Sequence, residues 1–284
     1  MRAMSAETDR LAGPTPPLER VEEHSLMLPG RRLRLRLYFP KGAPTPSPVL
    51  VYLHGGGWVF GDLETHDTVC REIAARSRAA VASLEYRLSP EAKFPSAVQD
   101  GYEAIRWLSE PKTAERCHIR PDRIAVGGDS AGGNMAAAIA VLARDRRGPA
   151  LAGQMLFCPV TAYYPNTPSY RDCGQGFGFE ASFMPWMWKQ YLSSPEEGPD
   201  PRVAVLRTND LSHVAPALVI TAEYDLLRDE GEEFAERLRQ AGVPTQSTRY
   251  QGMVHGFLDY RGLAQEGWDA LDEIAGALRS WFES

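Results

Sequence analysis

The stretch IAVGGDSAGGNMAAAIAVLARDRRGP, residues 124–149, decides the fold. It opens as a short apolar strand over Ile124–Gly127 and continues as a helix over Ala131–Arg144, with Met135, Ile139 and Leu142 on one stripe. Arg144, Arg146 and Arg147 set cations against the helix dipole, and Gly148-Pro149 stops the helix. Between strand and helix lies Gly128-Asp129-Ser130-Ala131-Gly132, a GxSxG pattern. A turn this tight lifts the serine away from both flanking elements, and the glycines relieve the crowding that results.

Strand and helix alternate on both sides of this elbow. Val49–Leu53 is a continuous apolar run, as a strand buried on both faces requires. A helix over 66–78, a strand over Ala80–Glu85 and a helix over Ser96–Leu108 follow. Downstream come strands over Gln154–Cys158, Ala217–Ala222 and Thr245–Tyr250 and a helix over Glu230–Gln240. A closing helix carries Ala264, Trp268, Leu271, Ile274, Leu278 and Trp281 at helical spacing. Upstream, Val21–Leu28 and Leu33–Tyr38 read as a hairpin around Pro29-Gly30, with Leu33, Leu35 and Leu37 on one face and a solvated face of Arg32, Arg34 and Arg36. The order implies an α/β fold: a mostly parallel central sheet with helices on both faces. The expectation is one domain over residues 1–284, with an N-terminal arm over 1–20. Residues 161–215 break the alternation and are too long for a simple loop, so they read as a cap insertion with one helix over Ser182–Leu192.

Composition narrows the function. The chain has 284 residues and a net charge of −6, with acids and bases interspersed. That disfavours nucleic acid as a partner, and no apolar run is long enough to span a membrane. The N-terminus MRAMSAETDRLAGPTPPLER lacks the apolar centre of a secretion signal, so the expected location is the cytoplasm. Cys70, Cys117, Cys158 and Cys173 are scattered without a CxxC and read as buried free thiols; no metal site is expected.

A serine on a strand-to-helix elbow is a nucleophile only if a base takes its proton. His255 lies just past the last strand, at the same carboxyl rim from which Ser130 emerges, and is the best of the six histidines. His54 lies inside a strand end and supports the loop that follows it. Asp225 follows the strand over Ala217–Ala222 and is the acid that orients the base; Glu223 turns aside and Asp229 opens the next helix as a cap. The order Ser130, Asp225, His255 suits this architecture. Attack on a carbonyl makes an oxyanion that needs preplaced N–H donors. The run His54-Gly55-Gly56-Gly57, directly after a buried strand, offers bare amides, and Ala131 adds one at a helix N-terminus. Trp58, Phe183, Trp186, Met187, Trp188 and Phe257 are candidate pocket walls, while Glu91, Asp129 and Arg228 read as scaffold charges.

Four motifs then carry a resemblance: HGGGWVFGD from His54, YRLSPEAKFPSA from Tyr86, GDSAGGN from Gly128, and AEYDLLRDEG through VHGF between Ala222 and Phe257. The chain resembles the hormone-sensitive-lipase-like (bacterial family IV) esterases of the α/β-hydrolase superfamily. The resemblance implies an oxyanion hole of Gly56, Gly57 and Ala131. It also implies hydrolysis of short- to medium-chain carboxylic esters, no cofactor, and pairing as a homodimer through the last strand and helix. The family's usual DPL around the acid reads Asp225-Leu226-Leu227 here, which implies a slightly looser turn. The arm before the glycine motif is short, which implies a more open acyl site. Two other functions share the same residues: amide hydrolysis, as by an arylformamidase, and non-catalytic binding of a small ligand.

Overall fold

Apolar runs become buried strands, and their spacing sets the layers. In the computed structural model, which describes residues 11–283, eight strands form one sheet: β1 Arg20–Leu28, β2 Arg31–Phe39, β3 Ser47–Leu53, β4 Ala80–Glu85, β5 Ile119–Asp129, β6 Gly153–Phe157, β7 Ala217–Tyr224 and β8 Thr245–Val254. Their spatial order is β1-β2-β4-β3-β5-β6-β7-β8. β1 and β4 both pair with β2 antiparallel, and every other pairing is parallel. Every residue of β3 and β6 is buried, as strands covered on both faces must be.

Alternate side chains of the strands feed two cores. Val49, Val51 and Leu53 point to the face covered by α2 Ser96–Ser109, α4 Ala131–Asp145 and α7 Arg228–Gln240. Leu50 and Tyr52 point to the face covered by α1 Asp67–Ser77 and α8 Gln265–Glu283. Two short helices have no periodicity to announce them: α3 Pro111–Arg116 and α5 Pro168–Asp172, each with proline in the first turn. No described helix is long and apolar enough to cross a membrane.

The arginine face of β2 is not simply solvated. Arg36 is mostly buried and pairs with Glu23, Glu64 and Asp67, while Arg34 reaches Glu85 and Glu23. β5 is longer than its apolar core, because the polar run Arg120–Arg123 continues the strand back to Ile119, which pairs with Ser47 across an irregularity in register. Of the expected arm, residues 1–10 lie outside the described residues. Residues 11–19 begin against the closing helix: Leu11 O accepts from Gly262 N at 2.9 Å, Ala12 is buried, and Gly13 lies on the Trp268 ring.

Residues 161–215 contain α5 and α6 Phe183–Tyr191. Their roots are fixed by buried polar groups. Glu230 Oε1 accepts from Thr161 N (2.6 Å) and Ala162 N (3.0 Å), and Asn134 Nδ2 donates to Val160 O (2.9 Å) and Val203 O (2.8 Å). Asp229 is not a helix cap. It lies in the first turn of α7, and its carboxylate accepts from Ser169 N at 2.7 Å, which ties α5 to the segment after β7.

Candidate active site

The elbow is strained in the way its sequence requires. β5 ends at Asp129 and α4 starts at Ala131, which leaves Ser130 at φ 54°, ψ −116°. A non-glycine residue in that region costs energy and persists only where its surroundings hold it. Here Ser130 N donates to Phe157 O (2.8 Å) and Ser130 O accepts from Asn134 N (3.0 Å). A side chain at Gly132 would run into Leu53 O, so only glycine lets the first turn of α4 lie against β3.

Ser130, His255 and Asp225 converge. His255 Nε2 is 3.0 Å from Ser130 Oγ, and His255 Nδ1 is 2.7 Å from Asp225 Oδ2. Asp225, 1 % exposed, sits at the end of β7, where its Oδ1 accepts from Leu227 N (2.9 Å) and its carbonyl from Arg228 N (3.1 Å), so the Asp-Leu-Leu turn is closed. Burial disfavours a charged His255, but the Asp225 carboxylate, with Asp129 and Asp259 behind it, more than offsets this, and its pKa lies above the ordinary value. Phe179 stacks on the imidazole at 4.6 Å between centroids. Glu223 does turn aside, accepting from Gly252 N at 2.7 Å.

The glycine loop runs beside the elbow. Gly56 and Gly57 have φ of 108° and 60°, and among the described residues neither amide finds a backbone acceptor. Ala131 N, first in its helix, has no acceptor within α4. Asp129 joins loop to elbow: its Oδ1 accepts from Gly55 N (3.0 Å) and Tyr52 Oη (2.7 Å), with His66 Nε2 3.5 Å away. Burial alone would raise Asp129 and lower His66; facing each other, they move to about 2 and about 9, so both are charged at neutral pH. His54 is fully buried, and burial together with nearby His66 pushes it down to about 4. As a neutral ring it donates from Nδ1 to Gly55 O at 2.8 Å, and Tyr86 Oη donates to its carbonyl at 2.8 Å. His54 thus supports the loop and does not face Ser130.

Ser130, His255 and the glycine loop open on a cavity of about 270 Å³. Of the expected wall residues, Trp58 and Met187 line it. Trp58, at φ 63°, also stacks on Tyr191 at 4.3 Å, which locks the loop to α6 and explains a large ring directly after three glycines. Phe183 and Trp186 are instead exposed, at 48 % and 45 %, on the outer face of α6. Phe257 is buried against Phe157 and Tyr250 below the rim, and Trp188 is core against Trp58 and Tyr163. Sequence reasoning missed Phe60, Val160, Phe179 and Met184 in the wall, and the polar groups Thr65, His66 and Asp259. Met184 lies three residues before Met187, on the same face of α6, which a helical reading of that stretch implies. Phe179 sits among glycines and had no such signal.

A mostly parallel sheet that presents a strained serine, a histidine–aspartate pair and a glycine loop at one rim defines an α/β hydrolase. Comparison with known proteins narrows this. The family model described as alpha/beta hydrolase fold matches residues 50–259. The carboxylic ester hydrolase LipN of Mycobacterium tuberculosis is 39 % identical over 283 residues, 98 % of this chain and 74 % of that protein. The ethyl acetate hydrolase of Pseudomonas putida is 38 % identical over 256 residues, covering 88 % and 79 %. Among solved structures, the thermostable metagenomic carboxylesterase EstE1 superposes with a TM-score of 0.93 at 39 % identity, covering 99 % of this chain and 96 % of that one. The chain belongs to the hormone-sensitive-lipase-like esterases of the α/β-hydrolase superfamily, and it is a carboxylic ester hydrolase.

Proposed function

We propose that the protein hydrolyses short- to medium-chain carboxylic esters through an acyl-enzyme formed on Ser130. The observation that carries this reading is the unbroken chain of short contacts from Asp225 through His255 to Ser130, at 2.7 and 3.0 Å, beside loop amides that have no backbone acceptor among the described residues. His255 Nε2 takes the Ser130 proton as Oγ attacks the ester carbonyl; Asp225 holds the ring and stabilises the imidazolium. Gly56, Gly57 and Ala131 donate to the oxyanion. His255 then protonates the leaving alcohol, and water repeats the sequence on the acyl-enzyme.

Size supports the chain-length limit. A cavity of about 270 Å³ is at the small end of ligand sites and favours substrates with few acyl carbons. We assign residues 161–215 as the cap of a single α/β-hydrolase domain, because Phe179, Met184 and Met187 from that segment wall the cavity. The four unpaired buried thiols fit a reducing compartment, the cytoplasm, and the outer edge of β8, which pairs with no strand among the described residues, fits assembly as a homodimer. Ser130→Ala is expected to remove nearly all turnover of p-nitrophenyl acetate; retention of most of it would reject Ser130. A panel of p-nitrophenyl esters from acetate to palmitate should be cleaved fastest at or below medium length, and fastest turnover of the palmitate would reject the size argument.

A further inference from the structure

The cavity wall carries a second chemistry that the proton relay does not use. The glycine loop and the 161–215 segment supply apolar walls, whereas Thr65 and His66, before α1, and Asp259, four residues after His255, supply polar ones. Two of these three are satisfied within the protein. Thr65 Oγ1 contacts Asp62 and His66 Nδ1, and His66 lies between Thr65 Oγ1 at 3.0 Å and Asp129 Oδ1 at 3.5 Å. Asp259 differs. Its backbone N–H donates to Gly256 O, which fixes it in the turn after His255, but its carboxylate accepts no hydrogen bond from any described residue.

An ionised carboxylate in a largely apolar cavity is costly unless a donor reaches it. Burial raises Asp259 to about 6, against the pull of His66, Arg261 and His255 and with the push of Asp129. At neutral pH it is therefore mostly charged, and among the described residues no donor reaches it. The groups around it select the donor. A substrate ammonium would have to shed its water in a largely apolar cavity, where the charges of His66 and Asp129 are already paired with each other and offset that loss little. A hydroxyl carries no such penalty.

We propose that Asp259 accepts a hydrogen bond from a hydroxyl group of the substrate, so that this residue selects hydroxyl-bearing esters over hydrocarbon esters of the same shape. The inference rests on the esterase reading of Ser130 and deepens it. Asp259 is a specificity-determining residue; it takes no part in proton transfer between Ser130 and His255.

The test uses pairs of esters in which a methyl replaces the hydroxyl. The pairs are 2-hydroxyethyl and propyl acetate, 3-hydroxypropyl and butyl acetate, 4-hydroxybutyl and pentyl acetate, and, on the acyl side, ethyl 3-hydroxybutyrate and ethyl 3-methylbutyrate. For each pair, kcat/KM is measured by titrating the acid released, and the hydroxyl-to-methyl ratio is compared between the parent and Asp259→Ala. The ratio cancels any loss of folded enzyme. In at least one pair it should fall about tenfold in the variant, the effect of losing a hydrogen bond to a charged group. Asp259→Asn, which keeps the shape and a weaker acceptor, should fall between. Ratios equal within about twofold in every pair overturn the proposal. So does a larger effect of Asp259→Ala on protonated 2-(dimethylamino)ethyl acetate relative to 3-methylbutyl acetate, since that assigns the carboxylate to a cation. Failure of the parent to cleave any ester would overturn the esterase reading itself, an outcome distinct from unchanged ratios.

Discussion

Gly57 offers a perturbation whose two costs can be separated. The residue has φ 60°, and a Cβ there would lie 2.5 Å from Met187 Sδ and 3.0 Å from its Cε and Cγ. Gly57→Ala therefore meets a backbone penalty of about 1–2 kcal/mol for a left-handed alanine. It also meets an overpacking penalty of about 1–3 kcal/mol, reduced to the extent that the thioether can turn away. Relief by shifting the loop moves the Gly57 amide, and with that amide as a proposed oxyanion donor its displacement is expected to cost about a hundredfold in kcat. Met187→Ala removes the obstacle and leaves the backbone penalty. The expected outcome is a double mutant more stable than the two single effects predict by about 1 kcal/mol or more, with kcat partly restored. Urea unfolding and p-nitrophenyl acetate kinetics on the four proteins read both quantities. Strict additivity of the stabilities, or a Gly57→Ala enzyme with parental kcat, refutes the proposed packing of loop against α6.

Two further outcomes follow from the electrostatics. With His255 as the proposed base, only its neutral form can take the serine proton, so kcat/KM should fall as pH drops through its raised pKa; Asp225→Asn should cut kcat by about a thousandfold or more and move that acid limb to lower pH, because the carboxylate that favours the imidazolium is gone. A limb that stays in place in a pH–rate profile would separate the raised pKa from Asp225. His66, raised to about 9 beside Asp129, stabilises the fold fully below its unfolded pKa near 6.5, and this contribution is lost as pH rises through 9. His66→Gln should therefore destabilise by about 2–3 kcal/mol near pH 6, the same coupling seen from either partner, and by progressively less in alkaline solution. A penalty that does not change with pH in denaturant titrations would contradict the ion pair.

Much of this was legible because strands and elbow announce themselves locally. The unbroken apolar run Val49–Leu53 can only be a strand covered on both faces, and it is. The placement of Ser130, Asp225 and His255 needed only the ends of elements, which strand order brings to one rim. The wall residues were less legible because they depend on which face of α6 turns inward. Trp186 and Phe183 are as apolar as Met184 and Met187, yet they face outward. Phe179 lies outside any periodic element and reaches His255 only through the path of the chain. The Arg36 and His66 networks were hidden for a further reason: their partners come from distant segments, and pairing of charges across such distances leaves no trace in local pattern.

The bond pattern of Asp129 has an evolutionary corollary. One carboxylate fastens the glycine bend to the end of β5, and neither belongs to the 161–215 segment. Reaction machinery and the Phe179, Met184 and Met187 part of the cavity wall thus lie on separate segments of chain that touch at two points, Phe179 on His255 and Met187 beside Gly57. A directed library at Met184 leaves both contacts in place, whereas changes at Phe179 or Met187 are expected to move kcat together with substrate choice.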